Sequence, residues 1–402
     1  MLHKKTVRDL GADDLKGRRA LVRVDFNVPL DDSRRVADDT RIRAALPTLE
    51  FLADRGARVV LLSHLGRPKG KPTPEYSLEP VARRLADLVP ERTVCFVETT
   101  DTDEAIKATH AARPGEILLL ENTRFLGGEE KNDERLARAL AQLGDVFVND
   151  AFGAAHRAHA STAGVAEHLR PAVAGLLMEK ELEYLGQALG TPARPFVAAL
   201  GGAKISGKID VIEQLLPKVD RMLIGGAMAC TFFRAMGLET GKSLVEEDRV
   251  EMAKALLSRA GDKLVLPSDA LTAPSLDTPQ RARVVSRNAI PRDEAVFDIG
   301  PESAASFGDV VRGGRTVVWN GPMGVFETPP FDSGTRAVAN ALVAATATGA
   351  TTIVGGGDSA AAIAQFGLED RVSHVSTGGG ASLEFLEGKA LPGVEVLDDR
   401  GA

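Results

Sequence analysis

Short apolar runs alternate with longer amphipathic segments along most of this chain of 402 residues. The short runs have the length of buried strands, and the longer segments repeat apolar residues at helical spacing, as at positions 42, 46, 49 and 52. This alternation is typical of parallel sheets covered by helices on both faces. The chain is also too long for one ordinary core. We therefore predict an α/β fold of two doubly wound parallel-sheet (Rossmann-like) domains joined by a helix.

The predicted elements fall on either side of a helical segment at Met178–Leu189. Predicted strands of the first half are Ala20–Phe26, Arg58–Leu62, Glu116–Leu120 and Asp145–Val148. Predicted helices of the first half are Arg41–Arg55, Val81–Val89 and Asp133–Leu143. Predicted strands of the second half are Phe196–Leu200, Arg221–Ile224, Lys263–Leu266, Thr316–Trp319 and Thr351–Val354. The least regular stretch, Pro267–Pro279, is predicted to be a loop.

Charge and cysteine content narrow the possible functions. The net charge of −7 gives no general attraction for nucleic acid, so any arginine that binds an anion must act locally. The two cysteines, Cys95 and Cys230, form no CxxC pair, which indicates a reducing compartment. No apolar segment of signal-peptide length follows Met1, and no run approaches 18 apolar residues. We expect a cytoplasmic protein.

Basic and polar side chains follow the predicted strands of the first half. Ligands of open α/β sheets bind beyond the carboxyl ends of the strands, so these residues should meet in one crevice. A small, highly charged anion suits such a set of arginine and histidine side chains. Each residue alone could be an ordinary surface charge, but their succession at strand ends favours a site. The residues are Asp25, Asn27, His64, Arg67, Arg124, His156, Arg157 and His159.

Arg41 stands out because it follows Asp38-Asp39-Thr40, a sequence typical of a helix N-cap. The helix dipole opposes a cation in the first turn of a helix. A purely structural arginine would avoid that position, whereas one that reaches an anion at the helix N-terminus would not. We therefore predict that Arg41 contacts an anionic ligand.

The second half ends its predicted strands with glycines, which can present backbone N–H groups to a polyphosphate. Gly202–Ile209 nearly matches a Walker A loop, but Ile209 replaces the Ser or Thr that would hold magnesium. Lys204 and Lys208 would share a face if the helix began early. Gly237–Ser243 is one residue short of a similar motif and is interpreted as a helix end and turn.

Other glycine turns follow at Trp319–Glu327, Gly355–Ser359 and Thr377–Gly380. Asp358 could cap the helix that opens there, or it could bind a nucleotide-bound Mg²⁺. The sequence contains no GxGxxG fingerprint, which weakens a dinucleotide-binding interpretation.

Taken in order, these motifs resemble the phosphoglycerate kinase family over nearly the whole chain. The matching segments are Val24–Pro29, Ser63–Pro68, Glu121–Phe125, Ala155–His159, Gly201–Lys204, Trp319–Glu327, Gly355–Ser359 and Ser376–Gly380. The resemblance implies reversible phosphoryl transfer from 1,3-bisphosphoglycerate to ADP, giving 3-phosphoglycerate and ATP. It also implies a Mg²⁺-bound nucleotide, a monomeric cytosolic enzyme and a role in glycolysis.

The resemblance assigns roles to residues at matching positions. The implied substrate-binding residues are Asp25, Phe26, Asn27, Arg41, His64, Leu65, Gly66, Arg67, Arg124 and Arg157. The implied nucleotide-binding residues are Lys204, Lys208, Gly300, Asn320, Glu327, Gly356, Gly357, Asp358 and Ser359. Glu327 would bind the ribose and Asp358 the metal. The implied catalytic residues are Arg41, Lys204, Gly356 and Gly379.

The implied domains are residues 1–175 with 390–402 for phosphoglycerate, a linking helix or hinge at 176–190, and residues 191–389 for the nucleotide. Arg41 and Lys204 would meet one phosphoryl group from different domains, so we expect the lobes to close during the cycle. The stretch from Ser268 to Gln280 departs from the family pattern, and Cys230 occupies a variable position.

Two alternatives to a kinase remain: a nicotinamide dehydrogenase on the same fold, and a two-lobed anion-binding protein without catalysis.

Overall fold

A computed structural model describes residues 3–401, so the first two residues and the last residue of the chain lie outside the description. The chain divides into two compact units. The first unit runs to Glu183 and resumes at Ala390, and the second unit is Tyr184–Lys389. The linking helix predicted at Met178–Leu189 is observed at Leu176–Leu189, and the boundary between the units falls within it.

The strands are β1 (Arg19–Arg23), β2 (Arg58–Leu62), β3 (Val94–Val97), β4 (Ile117–Leu120), β5 (Val146–Asn149), β6 (Ala172–Ala174), β7 (Phe196–Leu200), β8 (Arg221–Ile224), β9 (Leu264–Val265), β10 (Asp269–Ala273), β11 (Arg283–Ser286), β12 (Ala295–Ile299), β13 (Thr316–Asn320), β14 (Thr351–Gly355) and β15 (His374–Val375).

The α-helices are α1 (Ala12–Leu15), α2 (Thr40–Asp54), α3 (Glu79–Leu88), α4 (Asp103–Ala111), α5 (Glu134–Ala141), α6 (Val165–His168), α7 (Leu176–Leu189), α8 (Ile209–Leu215), α9 (Met228–Ala235), α10 (Val250–Ala260), α11 (Pro301–Gly313), α12 (Ser333–Ala347), α13 (Gly357–Gln365), α14 (Gly380–Leu386) and α15 (Pro392–Glu395).

The first unit is built on a parallel sheet with the strand order β3-β4-β2-β1-β5-β6. The chain adds strands on one side of β1, then returns to the other side of β1 with β5. Its central strand β1 is buried along its whole length and pairs with β2 and β5. Because all the strands are parallel, the segments that follow β1, β2, β4 and β5 leave the sheet at the same edge.

The second unit repeats this design in a sheet with the order β15-β14-β13-β7-β8-β9. The order reverses between β7 and β13, whose carboxyl ends lead into Gly201-Gly202 and Gly321. A small antiparallel sheet, β11-β10-β12, lies in the same unit. The core includes the fully buried side chain of Trp319, the single tryptophan of the chain.

The α/β fold class predicted from the sequence is confirmed. Several predicted strands, including Arg58–Leu62 and Phe196–Leu200, have the observed bounds. The prediction of a loop at Pro267–Pro279 is wrong, because Asp269–Ala273 forms β10 in the middle of the antiparallel sheet. That short strand lies between Pro267 and Pro274, and closely spaced prolines are typical of a loop.

The end of the chain packs against the first unit. Asn149 donates a hydrogen bond to the carbonyl of Gly393, and the N–H of Gly393 donates to the carbonyl of Ala155. The Asp398 N–H donates to the Ala172 carbonyl, so the segment extends the contacts of β6. Leu391, Val394 and Leu397 are buried. The core of the first unit is therefore assembled from both ends of the chain.

Within residues 3–401, no helix has both the length and the apolar character needed to cross a membrane.

The turn after β7 depends on a glycine in close backbone contact. A Cβ atom at Gly201 would stand 2.1 Å from the carbonyl oxygen of Pro322 and 2.7 Å from that of Gly321. These neighbours are backbone atoms, which cannot move aside as a flexible side chain can. A glycine is therefore needed here for the turns after β7 and β13 to touch.

We expect Gly201→Ala to destabilise the second unit by about 2–3 kcal/mol, because overpacking against backbone must displace one of the two turns. Gly207→Ala is a matched control, since a Cβ there would meet its nearest atom only at 4.0 Å. Urea unfolding followed by Trp319 fluorescence reports on this unit. Equal midpoints for the two variants would contradict the expectation.

Candidate active site

The polar residues that follow β1, β2 and β4 meet at one edge of the first sheet. Arg41 Nη1 lies 2.8 Å from Asp25 Oδ2, and His64 Nε2 lies 4.0 Å from Asp25 Oδ1. The Asn27 side chain accepts a hydrogen bond from the Gly66 N–H at 2.9 Å. These residues, together with Arg124, form what we term the basic cluster: Asp25, Asn27, Arg41, His64, Gly66 and Arg124.

Hydrogen bonds between the loops hold the basic cluster together. Arg124 Nη1 donates to the Gly66 carbonyl at 2.8 Å, which ties the loop after β4 to the loop after β2. The Asn122 side chain donates to the Leu65 carbonyl at 2.7 Å and accepts from the Arg124 N–H. The Phe26 N–H donates to Ser63 Oγ at 2.9 Å. The cluster is therefore fixed by backbone contacts as well as by charge.

Burial and charge set the protonation of the cluster. His64 is only 5% exposed, and burial, aided by the positive charges of Arg23, Arg124 and Arg41, lowers its pKa well below the ordinary value. Burial disfavours the negative charge of Asp25, whereas the neighbouring His64, the guanidinium groups of Arg41 and Arg23, and the Asn27 N–H favour it, and the pKa of Asp25 is lowered. The cluster therefore holds a neutral imidazole beside a carboxylate and several guanidinium groups.

Some predicted substrate-binding residues lie apart from these contacts. Arg67 is exposed, and no side-chain hydrogen bond or ion pair joins it to the cluster within residues 3–401. Arg157 is also exposed, although its charge acts on both Arg124 and His159. The side chains of Phe26 and Leu65 are buried, so only their backbone groups could face a ligand.

The glycine turns of the second unit enclose a small cavity of about 190 Å³, which we term the glycine cavity. Its lining includes the predicted residues Asn320 and Ser359. Lys208 contributes a positive charge and Asp358 a negative charge. The complete lining is Lys208, Asn320, Gly321, Gly356, Gly357, Asp358, Ser359, Gly379, Gly380 and Leu383. Of the predicted nucleotide-binding residues, Lys204, Gly300 and Glu327 are not part of this lining.

The N-terminus of α13 opens into the glycine cavity. Gly356 is the N-cap residue, with a φ of 89° that favours glycine, and no side chain caps the helix there. Asp358 lies one residue inside the helix and is exposed, so it does not act as the cap. Ser359 Oγ accepts a hydrogen bond from the Gly321 N–H at 2.6 Å, which joins this turn to the end of β13. The first N–H groups of α13 are thus available to an anion.

The two lysines differ in position. Lys208 donates a hydrogen bond to the Asn320 side chain, and its pKa is lowered to about 8 by burial, against the opposing charges of Asp358 and Glu387. Lys204 is exposed and lies near Glu246. The early helix start that would place both lysines on one helical face is not observed, because α8 begins only at Ile209. Residues 205–208 instead form a turn, in which the Lys208 N–H donates to the Ile205 carbonyl.

Gly300 and Glu327 occupy different surroundings. Gly300 is buried at the N-terminus of α11, where a Cβ atom would stand 2.2 Å from the Asp269 carboxyl group. Asp269 accepts hydrogen bonds from the N–H groups of Glu302 and Ser303 and so caps that helix. Glu327 is exposed in the turn after β13.

The buried polar residues beneath the basic cluster were not predicted from the sequence. Arg23 is fully buried and bonds to Ser161 and His64, and Ser161 in turn bonds to the buried carboxylate of Glu129. The available signal was an arginine in the middle of the predicted strand Ala20–Phe26, whose other residues are apolar apart from Asp25. Gly321, Gly380 and Leu383 in the glycine cavity were likewise not singled out as site residues.

His159 should make the first unit sensitive to acid. It is 4% exposed, and burial together with the charges of Arg23 and Arg124 lowers its pKa from 6.5 to about 4. Between these values the unfolded chain binds the proton and the folded chain does not, so stability is lost as the pH falls from about 6.5 towards 4.

We expect His159→Gln to reduce that loss by roughly 2 kcal/mol at about pH 4.5. Urea unfolding followed by circular dichroism at about pH 7 and pH 4.5 measures the difference for each protein. The interpretation fails if the variant and the parent lose the same stability between the two values.

Comparison with known proteins identifies the family. The model of the family described as phosphoglycerate kinase matches residues 7–389. A phosphoglycerate kinase of Chloroflexus aurantiacus is 58% identical over 402 residues, covering 99% of this chain and 100% of that protein. A phosphoglycerate kinase of Chlorobium luteolum is 54% identical over 400 residues, with the same coverage.

Solved structures agree with these sequence matches. The structure of phosphoglycerate kinase from Coxiella burnetii has a TM-score of 0.88 and 43% identity, and the match covers 98% of both chains. The crystal structure of the Pyrococcus horikoshii phosphoglycerate kinase has a TM-score of 0.83 and 31% identity, again over 98% of both chains. With its motifs, fold and full-length relatives in agreement, this chain belongs to the phosphoglycerate kinase family.

Proposed function

We propose that the chain is a phosphotransferase that moves a phosphoryl group reversibly between 1,3-bisphosphoglycerate and ADP, giving 3-phosphoglycerate and ATP in glycolysis. Family membership over the whole chain supports this activity. The structural observation that supports it is a basic cluster on one unit and a glycine-lined cavity on the other, two settings suited to anions. A transferase with two phosphorylated substrates needs both.

On the first unit, the basic cluster is proposed to bind the glycerate substrate. Arg41 and Arg124 supply guanidinium donors suited to carboxylate or phosphate oxygens. Asp25 orients Arg41 through the contact at 2.8 Å, and Asn27 is proposed to bind a substrate hydroxyl group. The exposed side chains of Arg67 and Arg157 are free to turn towards a phosphate, whereas Phe26, Leu65 and Gly66 contribute backbone groups.

On the second unit, the glycine cavity is proposed to bind the nucleotide phosphates. The N–H groups at the start of α13 and the Lys208 ammonium group would neutralise their charge. Lys204, Gly356 and Gly379 are proposed to contact the transferring group. Glu327 is proposed to bind the ribose, and Gly300 is proposed to contact the nucleotide.

The residues present fit a magnesium ion that arrives with the nucleotide. Within residues 3–401, no group of three or more His, Cys, Asp or Glu side chains could hold a metal ion. Mg²⁺ in kinases is bound by one or two carboxylates plus substrate phosphates. Asp358 is an exposed carboxylate at the cavity and is proposed to be that ligand. When bound, the ion would neutralise phosphate charge.

The proposed reaction needs no protein nucleophile or general base. An oxygen of the ADP terminal phosphate forms a bond to phosphorus while the bond from phosphorus to the acyl oxygen breaks, and the carboxylate leaves without a proton. The protein contributes positioning and charge neutralisation, in which Arg41 and Lys204 are proposed to meet the equatorial oxygens. Exclusion of water protects the acyl phosphate.

The decisive experiment mixes the protein with Mg²⁺, ATP and 3-phosphoglycerate and traps the acyl phosphate with hydroxylamine. ADP and hydroxamate should appear together, and only when all components are present. A dehydrogenase would bind NADH and leave ATP intact, and a simple anion-binding protein would bind 3-phosphoglycerate without releasing ADP.

A monomeric, cytoplasmic enzyme is proposed on the family resemblance, and light scattering during size exclusion measures the oligomeric state.

Arg41→Ala should lower turnover by about 10³-fold, because the transferring phosphoryl group would lose a cation. Arg43→Ala is the matched control, since Arg43 lies in the same turn of α2 but is exposed and pairs with Asp39. Both variants should keep the circular dichroism spectrum of the parent. Turnover of the Arg41 variant within a few-fold of the control would remove Arg41 from the mechanism.

Asp358→Asn should raise the Mg²⁺ concentration needed for half-maximal rate and slow the reaction, because an amide is a weaker ligand than a carboxylate for a hard cation. If Asp358 only supported α13, asparagine would replace it with little effect. Titration of the rate with Mg²⁺ at fixed ATP separates the two roles. An unchanged Mg²⁺ dependence would exclude Asp358 as the ligand.

A further inference from the structure

Arg23 is a fully buried arginine directly beneath the basic cluster, at the carboxyl end of β1. Its three guanidinium nitrogens all have partners. Nε donates to Ser161 Oγ at 2.8 Å, Nη1 donates to the Val24 carbonyl, and Nη2 lies 3.0 Å from Nδ1 of His64. The guanidinium group is therefore held in one orientation, with one of its N–H bonds directed at the imidazole.

This contact determines which nitrogen of His64 carries the proton. An arginine side chain has only N–H donors and stays protonated in proteins, so His64 Nδ1 must be the acceptor. A neutral imidazole with an unprotonated Nδ1 carries its hydrogen on Nε2. That nitrogen lies on the side of the ring that faces Asp25, at 4.0 Å from its carboxylate.

We propose that Arg23 is a positioning residue that holds His64 in the neutral Nε2–H tautomer, so that His64 offers a hydrogen-bond donor to a carboxylate or phosphate oxygen of the substrate. This inference rests on the proposed function only for the identity of the substrate. Arg23 is buried beneath the cluster and acts through the imidazole.

The charge of Arg23 is balanced inside the protein. Ser161 Oγ accepts from Arg23 Nε and donates to Glu129 Oε1 at 2.5 Å, while the Ser161 N–H donates to Glu129 Oε2 at 3.0 Å. Glu129 is itself fully buried. A buried ion is tolerated when it is paired and hydrogen-bonded. The Ser161 hydroxyl therefore links the guanidinium group to a carboxylate, which leaves Nη2 available for His64.

The surroundings of His64 favour the neutral ring. The charged groups that face it are Arg23, Arg41, Arg124 and Asp25. Protonation at Nδ1 would direct an N–H at the Arg23 donor and replace a hydrogen bond by repulsion. Three cations and burial together outweigh the single carboxylate, so the ring should remain a neutral donor throughout the range in which the enzyme works.

The tautomer is directly measurable in the unmodified protein. Nitrogen-15 NMR of protein labelled in its seven histidines distinguishes an unprotonated ring nitrogen from one that carries hydrogen, and a His64→Gln protein identifies the signals of His64. We expect an unprotonated Nδ1 and a protonated Nε2 from about pH 6 to pH 8. A Nδ1–H tautomer or an imidazolium in this range would overturn the proposal, whatever the activity.

Arg23→Lys keeps the positive charge near Glu129 but replaces three side-chain nitrogens with one. A single nitrogen cannot bond to His64, Ser161 and Val24 at the same time. We expect the KM for 3-phosphoglycerate to rise about tenfold while the KM for ATP is unchanged, since one hydrogen bond to a charged substrate is weakened. The His64 signals should show a mixture of tautomers.

Arg19→Lys is the matched control. Arg19 is also a buried arginine of β1, but it lies at the opposite end of the strand and pairs with Asp145. This variant should keep the KM for 3-phosphoglycerate and the His64 spectrum of the parent. Parent-like KM and spectrum in folded Arg23→Lys would refute the role of Arg23. If Arg23→Lys does not fold, the spectrum of the unmodified protein still decides.

The two proposals fail in different ways. If the protein shows the expected His64 tautomer but converts no ATP with 3-phosphoglycerate, the proposed function is wrong and the Arg23 contact stands. If the protein is active but the His64 ring carries its hydrogen on Nδ1, the proposed function stands and the inference about Arg23 is wrong.

Discussion

Both candidate sites depend on the parallel direction of the strands. In the six-stranded sheet of each unit the strands run the same way, so every segment that leaves a carboxyl end emerges at one edge of that sheet. Residues far apart in sequence are thereby brought together: Asn27 and Arg124 both bond to Gly66, and His64 Nε2 lies 4.0 Å from Asp25 Oδ1. The same constraint joins the turns at Gly201 and Gly321 in the second unit.

Much of this organisation was predictable from the sequence, because it depends on local and periodic signals. The alternation of strand-length and helical segments predicted two parallel sheets, and strand-end side chains such as Asp25 and His64 predicted a basic crevice. The glycines at Gly356 and Gly379 predicted helix openings, and both lie in the lining of the glycine cavity. The fold class was confirmed, whereas the roles of these residues remain proposals.

What could not be predicted depends on contacts between distant parts of the chain. Nothing near Arg23 indicates that Ser161 and Glu129 will balance its charge, since those residues follow it by more than a hundred positions. The strand β10 was missed because its pairing with β11 and β12, rather than its own composition, makes it a strand.

The return of the chain end to the first unit has a consequence for biosynthesis. β6 and the loop after β5 depend on Gly393 and Asp398 for hydrogen bonds, and buried residues such as Leu397 complete their packing. On the ribosome, all of Tyr184–Lys389 is made before those residues exist. The unit that begins the chain is therefore the last to become complete. A chain that terminates early can fold its second unit while the first still exposes apolar surface to chaperones and proteases.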